Sequence, residues 1–267
     1  MARAKRHYIP GQVWHLTHRC HKREFLLKFA KDKRRYLQWL FEVKRRYGLT
    51  ILNYTVTSNH VHLVVVDDGD RDTISRSMQL VAGRCAQEYN ERKKRKGAFW
   101  QDRYHATAIE TGKHLLRCLV YVDLNMVRAG TVKHPCEWKF GGYNEIQSPR
   151  RKCVLIAYEK LAKLAGYRSY EKFRKSHRDW VNESLSKDNN VCDSQWTQSI
   201  AVGSESFVER IKAEMGSRAL GRCTHKEDGG CALRESEKSY NPDFAPKKSS
   251  IGLKNTYNWI SFPYIPI

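Results

Sequence analysis

The chain has 267 residues, of which 40% are hydrophobic and 11% aromatic, and this supply of apolar side chains is enough for one substantial core. Lysine and arginine number 49 against 28 acidic residues; the formal net charge of +21 favours a polyanionic partner, nucleic acid first among them. The composition excludes a short scaffold held by disulfides, and no apolar run approaches the roughly 20 residues that a membrane-spanning helix needs.

The cellular compartment is indicated by the first residues and by the cysteines. The N-terminal residues lack the apolar stretch of a secretory signal peptide. The eight cysteines contain no C-x-x-C pair, which is typical of reduced thiols. We therefore expect a cytoplasmic protein with no membrane partner.

The first half of the chain predicts alternating strands and helices. Period-two alternation indicates the strands, and apolar residues at every third or fourth position indicate the helices. The predicted elements are a strand at 12–19, a helix at 32–47, strands at 49–56 and 60–66, a helix across 74–89, a strand at 99–109 and a helix at 113–127. This order, β-α-β-β-α-β followed by a helix, predicts an α+β fold with a ferredoxin-like antiparallel sheet and its helices on one face.

The second half of the chain gives weaker patterns. A linker is expected near 148–152, and amphipathic patches at 154–164, 170–181 and 207–215 predict helices. From Gly216 onward the chain is rich in Gly, Ser, Lys and Asn, which is typical of poor order. We therefore expect a main domain at 1–148, a C-terminal helical appendage at 149–215 and a poorly ordered tail at 216–267.

A candidate metal site lies in the fourth predicted element. His60 and His62 are two positions apart in a strand, so both imidazoles project from one face and could bind one metal ion. The opposite face is apolar and is expected to pack beneath the helices, which leaves the histidines along an open groove. An H-x-H motif on its own more often consists of two histidines that bind no metal.

The last predicted helix carries a polar stripe on one side and an apolar stripe on the other. We expect the apolar stripe to face the sheet, so that the polar stripe turns outward or toward a groove. The polar residues are His114, Arg117, Tyr121, Asn125 and Arg128, and the apolar ones are Leu116, Leu119, Val120, Leu124 and Val127. Without the histidines this helix would be an ordinary amphipathic helix with a solvated face.

Together the histidines and the polar stripe predict chemistry on a phosphate. A phenol has an ordinary pKa of ~10, so Tyr121 is a weak nucleophile at neutral pH unless it is assisted. A divalent ion held by His60 and His62 could polarise a phosphodiester that Tyr121 attacks. Asn125, one turn beyond Tyr121, offers an amide oxygen as a third ligand, and such a site suits Mg²⁺ or Mn²⁺.

Basic residues supply the expected contacts to nucleic acid. Those near the N-terminus precede or flank the first strand, where aromatic neighbours could stack on unpaired bases. The candidate DNA-binding residues are Arg3, Lys5, Arg6, Arg19, Lys22, Arg23, Arg117 and Arg128.

Three segments of the chain resemble the REP-associated tyrosine transposases, single-strand DNA transposases of the HUH endonuclease superfamily. The segments are 59–65 (NHVHLVV), 99–104 (FWQDRY) and 121–130 (YVDLNMVRAG). The resemblance extends over about residues 5–145 and more weakly beyond them. Ser58 and Met126 stand where that family usually has proline, and neither departure removes a functional group.

The resemblance implies that residues 1–148 form an HUH-type transposase and endonuclease domain. It also implies the reaction that this domain carries out. It implies that His60, His62 and Asn125 hold Mg²⁺ or Mn²⁺ and that Tyr121 forms a 5′-phosphotyrosine link, from which a 3′-hydroxyl can rejoin the strands. It implies single-stranded DNA hairpins of palindromic repeats as substrate, and a monomer or a homodimer.

Two other functions stay open from the sequence. A non-catalytic DNA-binding regulator derived from a transposase would have the same charge but would need neither Tyr121 nor a metal. A zinc hydrolase acting on small molecules would use His60 and His62 alone, and the net charge argues against it.

Overall fold

The fold is built around a sheet of seven strands, of which the sequence predicted four. The computed structural model describes residues 9–68, 70–187, 193–227 and 229–235. The strands are β1 (Val13–Arg19), β2 (Thr50–Val56), β3 (His60–Val66), β4 (His105–Ile109), β5 (Ala201–Gly203), β6 (Arg222–Glu227) and β7 (Gly230–Glu235). They follow the order β2-β3-β1-β4-β5-β7-β6, and each neighbouring pair is antiparallel except β4 and β5, which are parallel.

The helices lie between these strands along the described part of the chain. The first, α1, ends at Gly48, which adopts the left-handed conformation that a glycine tolerates at a helix end. The helices are α1 (Ala30–Tyr47), α2 (Thr73–Arg92), α3 (Lys113–Asp123), α4 (Asn125–Arg128), α5 (Tyr143–Gln147), α6 (Tyr158–Leu164), α7 (Tyr170–Ser186), α8 (Gln195–Gln198) and α9 (Glu205–Met215).

The α+β class and the predicted order β-α-β-β-α-β followed by a helix are confirmed. Two boundaries differ from the prediction. The strand expected from residue 99 begins only at His105, and the helix expected at 113–127 is interrupted at Leu124, whose ψ of 0° departs from helical geometry. Asn125 follows this interruption directly, at the first position of α4.

The segment after residue 148 adds helices, as expected, but it also adds three strands to the sheet. The predicted poorly ordered tail is wrong for its first part, because β6 and β7 form a hairpin there. Its alternation was hidden because β6 is polar and mostly exposed, while β7 buries only Cys231, Ala232 and Leu233. Residues 236–267 lie outside the described part of the chain.

Helices α1 and α2 cover one face of the sheet. His18 of β1 stacks on Trp100 with ring centroids 3.9 Å apart, and Trp100 in turn contacts Tyr36 of α1. The Trp100 indole donates to the carbonyl of Ala82 in α2 at 3.0 Å. Burial of these aromatic side chains joins both helices to the back of the sheet.

The helices of the two β-α-β units, α1 and α2, thus lie on one face as predicted, and helix α3, which follows these units, covers the opposite face. Thr55 of β2 donates to the carbonyl of Val122 at 3.0 Å, and the Asn53 amide donates to the Asp123 carboxylate at 3.0 Å. The sheet is therefore enclosed on both faces, and six consecutive residues of β3 are buried.

The described residues contain no helix long and apolar enough to cross a membrane. The described cysteines are all free thiols.

The free edge of β2 is closed by the chain that follows α4. The Val56 amide donates to the carbonyl of Phe140 at 3.0 Å, and the Ala157 amide donates to the carbonyl of Ile51 at 2.9 Å. These bonds satisfy backbone groups that an open edge would expose. The start of the appendage is thus part of the main sheet's hydrogen bonding.

Glu145 holds this edge segment in place. Its carboxylate is fully buried and accepts the backbone N–H groups of Leu155 and Ile156, both at 2.8 Å. It also accepts the Tyr54 hydroxyl at 3.0 Å, which joins β2 to the segment beyond α5.

Replacing Glu145 tests this junction. Glu145→Ala leaves two buried N–H groups without their acceptor, so we expect the free energy of unfolding to fall by roughly 3 kcal/mol. Glu145→Gln keeps a carbonyl oxygen and should lose only about 1 kcal/mol. Urea denaturation followed by circular dichroism measures both values, and an alanine variant as stable as the wild type would refute the role of this carboxylate.

Candidate active site

The two predicted histidines lie side by side on β3, beneath α3. His60 is partly buried and His62 is 1% exposed, and their ring centroids are 4.9 Å apart. The expectation of an open groove along this face is wrong, because α3 covers it. The Tyr121 ring of α3 lies 5.9 Å from the His62 ring between centroids.

The two stripes of α3 are placed differently from the prediction. Val120 and Leu124 do not face the sheet but form a small cluster with Tyr143 and with Val181 of α7. Tyr121 belongs to the sheet-side core and is 7% exposed. The sheet face beneath α3 is itself polar, so it accommodates the side of the helix that carries Tyr121. The apolar residues Val120 and Leu124 pack against α7 instead.

Asn125 comes to the histidine pair from the start of α4. Its amide nitrogen is 3.1 Å from His62 Nε2, and the same side chain hydrogen-bonds His60. The structure therefore brings together the three side chains predicted to bind a metal. Among the described residues, no three His, Cys, Asp or Glu side chains are grouped to hold a metal ion, so a cation here needs the amide of Asn125.

The three donors fit a divalent cation. The amide oxygen and nitrogen of an asparagine exchange places by rotation about one bond, and only the hydrogen-bond partners decide between them. Rotation of the Asn125 amide would turn Oδ1 toward the histidine nitrogens. Two imidazoles and one amide oxygen leave positions open for water and a phosphate oxygen.

A third histidine, which the sequence did not single out, supports the pair from β1. His15 Nε2 lies 2.8 Å from His62 Nδ1, and His15 Nδ1 lies 2.8 Å from the carbonyl oxygen of Trp196. The alternation of β1 placed His15 on the same face as Thr17. Only the strand register, in which Thr17 lies opposite His62, shows that this face is the one that carries the site.

Burial keeps all three imidazoles neutral at neutral pH. It lowers the pKa of His15 and of His60 to about 4, and the charges of Arg19 and Arg128 act in the same direction on His60. Burial also lowers the pKa of His62 well below its ordinary value. A neutral imidazole is the form that offers a lone pair to a metal ion.

Tyr121 is enclosed by aromatic rings and one cation. Its ring centroid is 6.0 Å from that of His15 and 6.0 Å from that of Trp196. The guanidinium of Arg128 lies over the ring, 4.2 Å from its centroid, and also donates to the Tyr121 carbonyl. Arg128, predicted to contact DNA, is thus placed against the candidate nucleophile.

Tyr121 also lines a groove of about 520 Å³ between α3 and α7. The wall contributed by the appendage was not foreseen, because sequence patterns do not show which helices face each other. Basic and aromatic side chains outnumber acidic ones there. The basic residues are Lys113, Arg117, Arg128 and Lys187, the aromatic ones besides Tyr121 are Trp180 and Trp196, and the acidic ones are Glu183 and Asp193.

The remaining predicted DNA-binding residues are dispersed. Arg19 is exposed and lies opposite His60 in the register of β1 and β3. Lys22 and Arg23 are exposed in a short 3-10 helix after β1, and the Arg117 guanidinium donates to the carbonyl of Gly229 in the β6–β7 turn. Arg3, Lys5 and Arg6 lie outside the described residues.

Comparison with known proteins finds a family that resembles part of the chain. Residues 10–124 match the family described as IS200-like transposases, and they include β1 through α3 with His60, His62 and Tyr121. This segment is therefore similar to IS200-like transposases, and Asn125 follows directly after it. Transposases process DNA, and the net charge and the basic groove agree with such a partner.

Two solved structures are similar to parts of the chain. One is a REP-associated tyrosine transposase bound to a REP hairpin, with 22% identity over 56% of this chain and 87% of that chain and a TM-score of 0.47. The other is a candidate transposase from Deinococcus radiodurans R1, with 16% identity over 39% of this chain and 84% of that chain and a TM-score of 0.30. None of the curated proteins compared matches this chain.

The segment that matches the family is joined to the appendage by a buried polar network at the end of α3. His177 of α7 is fully buried and donates through Nε2 to the Asp123 carboxylate at 2.8 Å. The Gln147 amide donates to His177 Nδ1 at 3.1 Å, and Asn53 occupies the other oxygen of Asp123. Because Asp123 is two residues before Asn125, the network holds the break between α3 and α4.

Substitution of His177 measures the strength of this junction. His177→Leu leaves the Asp123 carboxylate buried without its closest donor, and we expect a loss of roughly 3–5 kcal/mol in the free energy of unfolding. His177→Gln has a similar volume and an amide donor, so it should lose only about 1–2 kcal/mol. Equal losses in the two variants, measured by urea denaturation, would show that the hydrogen bond to Asp123 is unimportant.

Proposed function

We propose that this protein is a metal-dependent single-stranded DNA endonuclease and transposase that cleaves and rejoins hairpin-containing DNA through a 5′-phosphotyrosine at Tyr121. One observation carries the proposal. Tyr121 packs against His62, while Asn125 from the next turn lies between His60 and His62. A tyrosine beside two neutral imidazoles and an amide is suited to phosphodiester transfer assisted by a cation.

In this proposal His60, His62 and Asn125 would hold Mg²⁺ or Mn²⁺. Both ions accept nitrogen and oxygen ligands, and the partly exposed His60 gives a route for the ion to enter. When bound, such a cation supplies a Lewis acid for a phosphate oxygen. The residues of the chain supply the rest of the reaction.

Tyr121 would act as the nucleophile. Its phenolic oxygen forms a bond to phosphorus, and the bond from phosphorus to the 3′ oxygen of the preceding nucleotide breaks. The phenolic proton is lost, the leaving oxygen becomes a 3′-hydroxyl, and the 5′ end stays linked to Tyr121. The Arg128 guanidinium over the ring places a positive charge where negative charge develops. Reversal of the step by a different 3′-hydroxyl joins strands without an external energy source.

The groove beside Tyr121 supports an unpaired strand as the substrate. Its basic residues can neutralise phosphates, and Trp180 offers a ring on which a base can stack. The sequence resemblance to REP-associated tyrosine transposases makes hairpins of palindromic repeats the substrate that we propose. Their single-stranded foot would enter the groove and reach Tyr121.

Covalent capture tests this function. Labelled single-stranded hairpins drawn from palindromic repeats near the gene, incubated with the protein and Mn²⁺, should give an adduct that survives denaturation. Tyr121→Phe removes the nucleophile and should abolish the adduct, and a chelator should do the same. Tyr47→Phe, a tyrosine substitution on α1 away from the site, serves as the matched control and should retain the adduct.

A wild-type protein that binds these hairpins but forms no adduct would contradict the proposal. The result would instead support a DNA-binding regulator derived from a transposase. Such binding would weaken with salt, with a log–log slope of about −0.7 for each phosphate contacted, and Tyr121→Phe would not change it.

A further inference from the structure

The hydrogen bonds around His15 determine which nitrogen of His62 carries a proton. A carbonyl oxygen can only accept, so His15 Nδ1, at 2.8 Å from the carbonyl of Trp196, must be the donor. A neutral imidazole has one donor and one acceptor, so His15 Nε2 accepts. His62 Nδ1, at 2.8 Å from it, is then the donor, and the lone pair of His62 is on Nε2.

The ring geometry agrees with this order of protons. The ring centroids of His15 and His62 are 5.0 Å apart while the two bonded nitrogens are 2.8 Å apart, and the ring planes differ by 10°. The rings therefore lie nearly end to end, and the shared hydrogen bond runs close to the plane of both, where imidazole lone pairs point. Both rings are buried, where a charged imidazolium is costly, and this favours the neutral form that the order of protons requires.

His60 is oriented in the same way by a different partner. Its Nδ1 lies 2.7 Å from Asn59 Oδ1, while the Asn59 amide nitrogen donates to the carbonyl of Arg23. The Asn59 oxygen is therefore the acceptor, and the lone pair of His60 is also on Nε2. The side chain of Asn125 hydrogen-bonds both rings, and its amide nitrogen lies 3.1 Å from Nε2 of His62.

The last acceptor in this series of hydrogen bonds, the Trp196 carbonyl, lies beyond residues 10–124. Trp196 belongs to α8, and its carbonyl oxygen lies 3.3 Å from the hydroxyl oxygen of Thr107 in β4. The Thr107 hydroxyl donates its one proton to the nearer carbonyl of Ser199 at 2.7 Å, which holds the end of α8 against the sheet. The position of the acceptor is thus set by the packing of the appendage on β4.

We propose that His15 is a positioning residue, which uses the Trp196 carbonyl of the appendage to keep the lone pair of His62 on Nε2, directed at the candidate metal site. The proposal rests on the proposed function in taking His62 as a metal ligand. It gives the appendage a part in the candidate active site, because the carbonyl that His15 meets belongs to Trp196 of the appendage. Hydrogen-bonded partners of this kind set the orientation and basicity of a metal-bound histidine.

Nuclear magnetic resonance of the unsubstituted protein tests the order of protons directly. Long-range ¹H–¹⁵N spectra of protein labelled in histidine, recorded without metal at neutral pH, report which ring nitrogen is protonated. The His62 signal is identified by its loss in His62→Gln. We expect the proton on Nδ1, whereas a histidine free in water prefers it on Nε2. A proton on Nε2 of His62 would overturn the proposal.

Affinity for Mn²⁺ alone, measured by titration calorimetry, gives a second readout. His15→Phe removes both hydrogen bonds and should weaken Mn²⁺ binding about 10- to 100-fold. His15→Gln offers a donor and an acceptor on one amide and should stay within about 3-fold of the wild type. An unchanged affinity in a folded His15→Phe variant would also overturn the proposal.

His18→Phe is the matched control. His18 is a buried histidine of the same strand that bonds a backbone carbonyl, that of Asp102 at 2.9 Å, but it lies on the opposite face of the sheet. Its substitution should leave Mn²⁺ affinity unchanged, and a loss equal to that of His15→Phe would overturn the proposal. Failure of the proposed function is separate, since it would appear as absence of the Tyr121 adduct while the His62 proton remains on Nδ1.

Discussion

The packing of α3 against the histidine-bearing face of the sheet is the contact on which the candidate site depends. It places Tyr121 next to His62. The helix is then interrupted at Leu124, and Asn125, the next residue, contacts the histidine pair. Without this contact the two histidines would form an exposed motif on a strand. With it, they are buried, neutral and aligned with an amide donor.

This contact is specified by polar groups as much as by apolar ones. Beneath α3 the sheet presents His15, His62 and Thr55, and each has a hydrogen-bond partner on the helix, on the appendage or on a neighbouring strand. A buried polar group without its partner is costly, so a shifted or rotated α3 would leave several groups unsatisfied. Val120, packed against α7, holds the outer side of the helix. The helix therefore has one stable position, which a site of this kind requires.

The sequence predicted much of this arrangement and missed the rest for identifiable reasons. Periodicity identified the first four strands and the order of elements, and the spacing of His60 and His62 placed them on one face. It could not show the faces of α3, because Tyr121 and Val120 are adjacent and either could turn inward. The side that turns inward is decided by contacts between residues that are distant in the sequence. Tyr121 contacts His62, which is bonded to His15, and Val120 packs with Val181 of α7.

Similar reasons explain why His15, the hairpin of β6 and β7 and the groove were not foreseen. A single histidine in a strand has no pattern, and its bond to Trp196 joins residues 181 positions apart. The polar β6 strand carries almost no apolar alternation, since it lies at the edge of the sheet. These features depend on tertiary contacts, which local sequence propensity does not determine.

The central claim is that His60, His62 and Asn125 form one site for a divalent ion beside Tyr121. Crystals of the protein soaked in Mn²⁺ and measured at the manganese absorption edge test it most directly. The account predicts an anomalous peak bonded to Nε2 of both histidines and to the amide oxygen of Asn125. A well-ordered site with no peak, or a manganese ion bound through Nδ1 of either histidine, would contradict it.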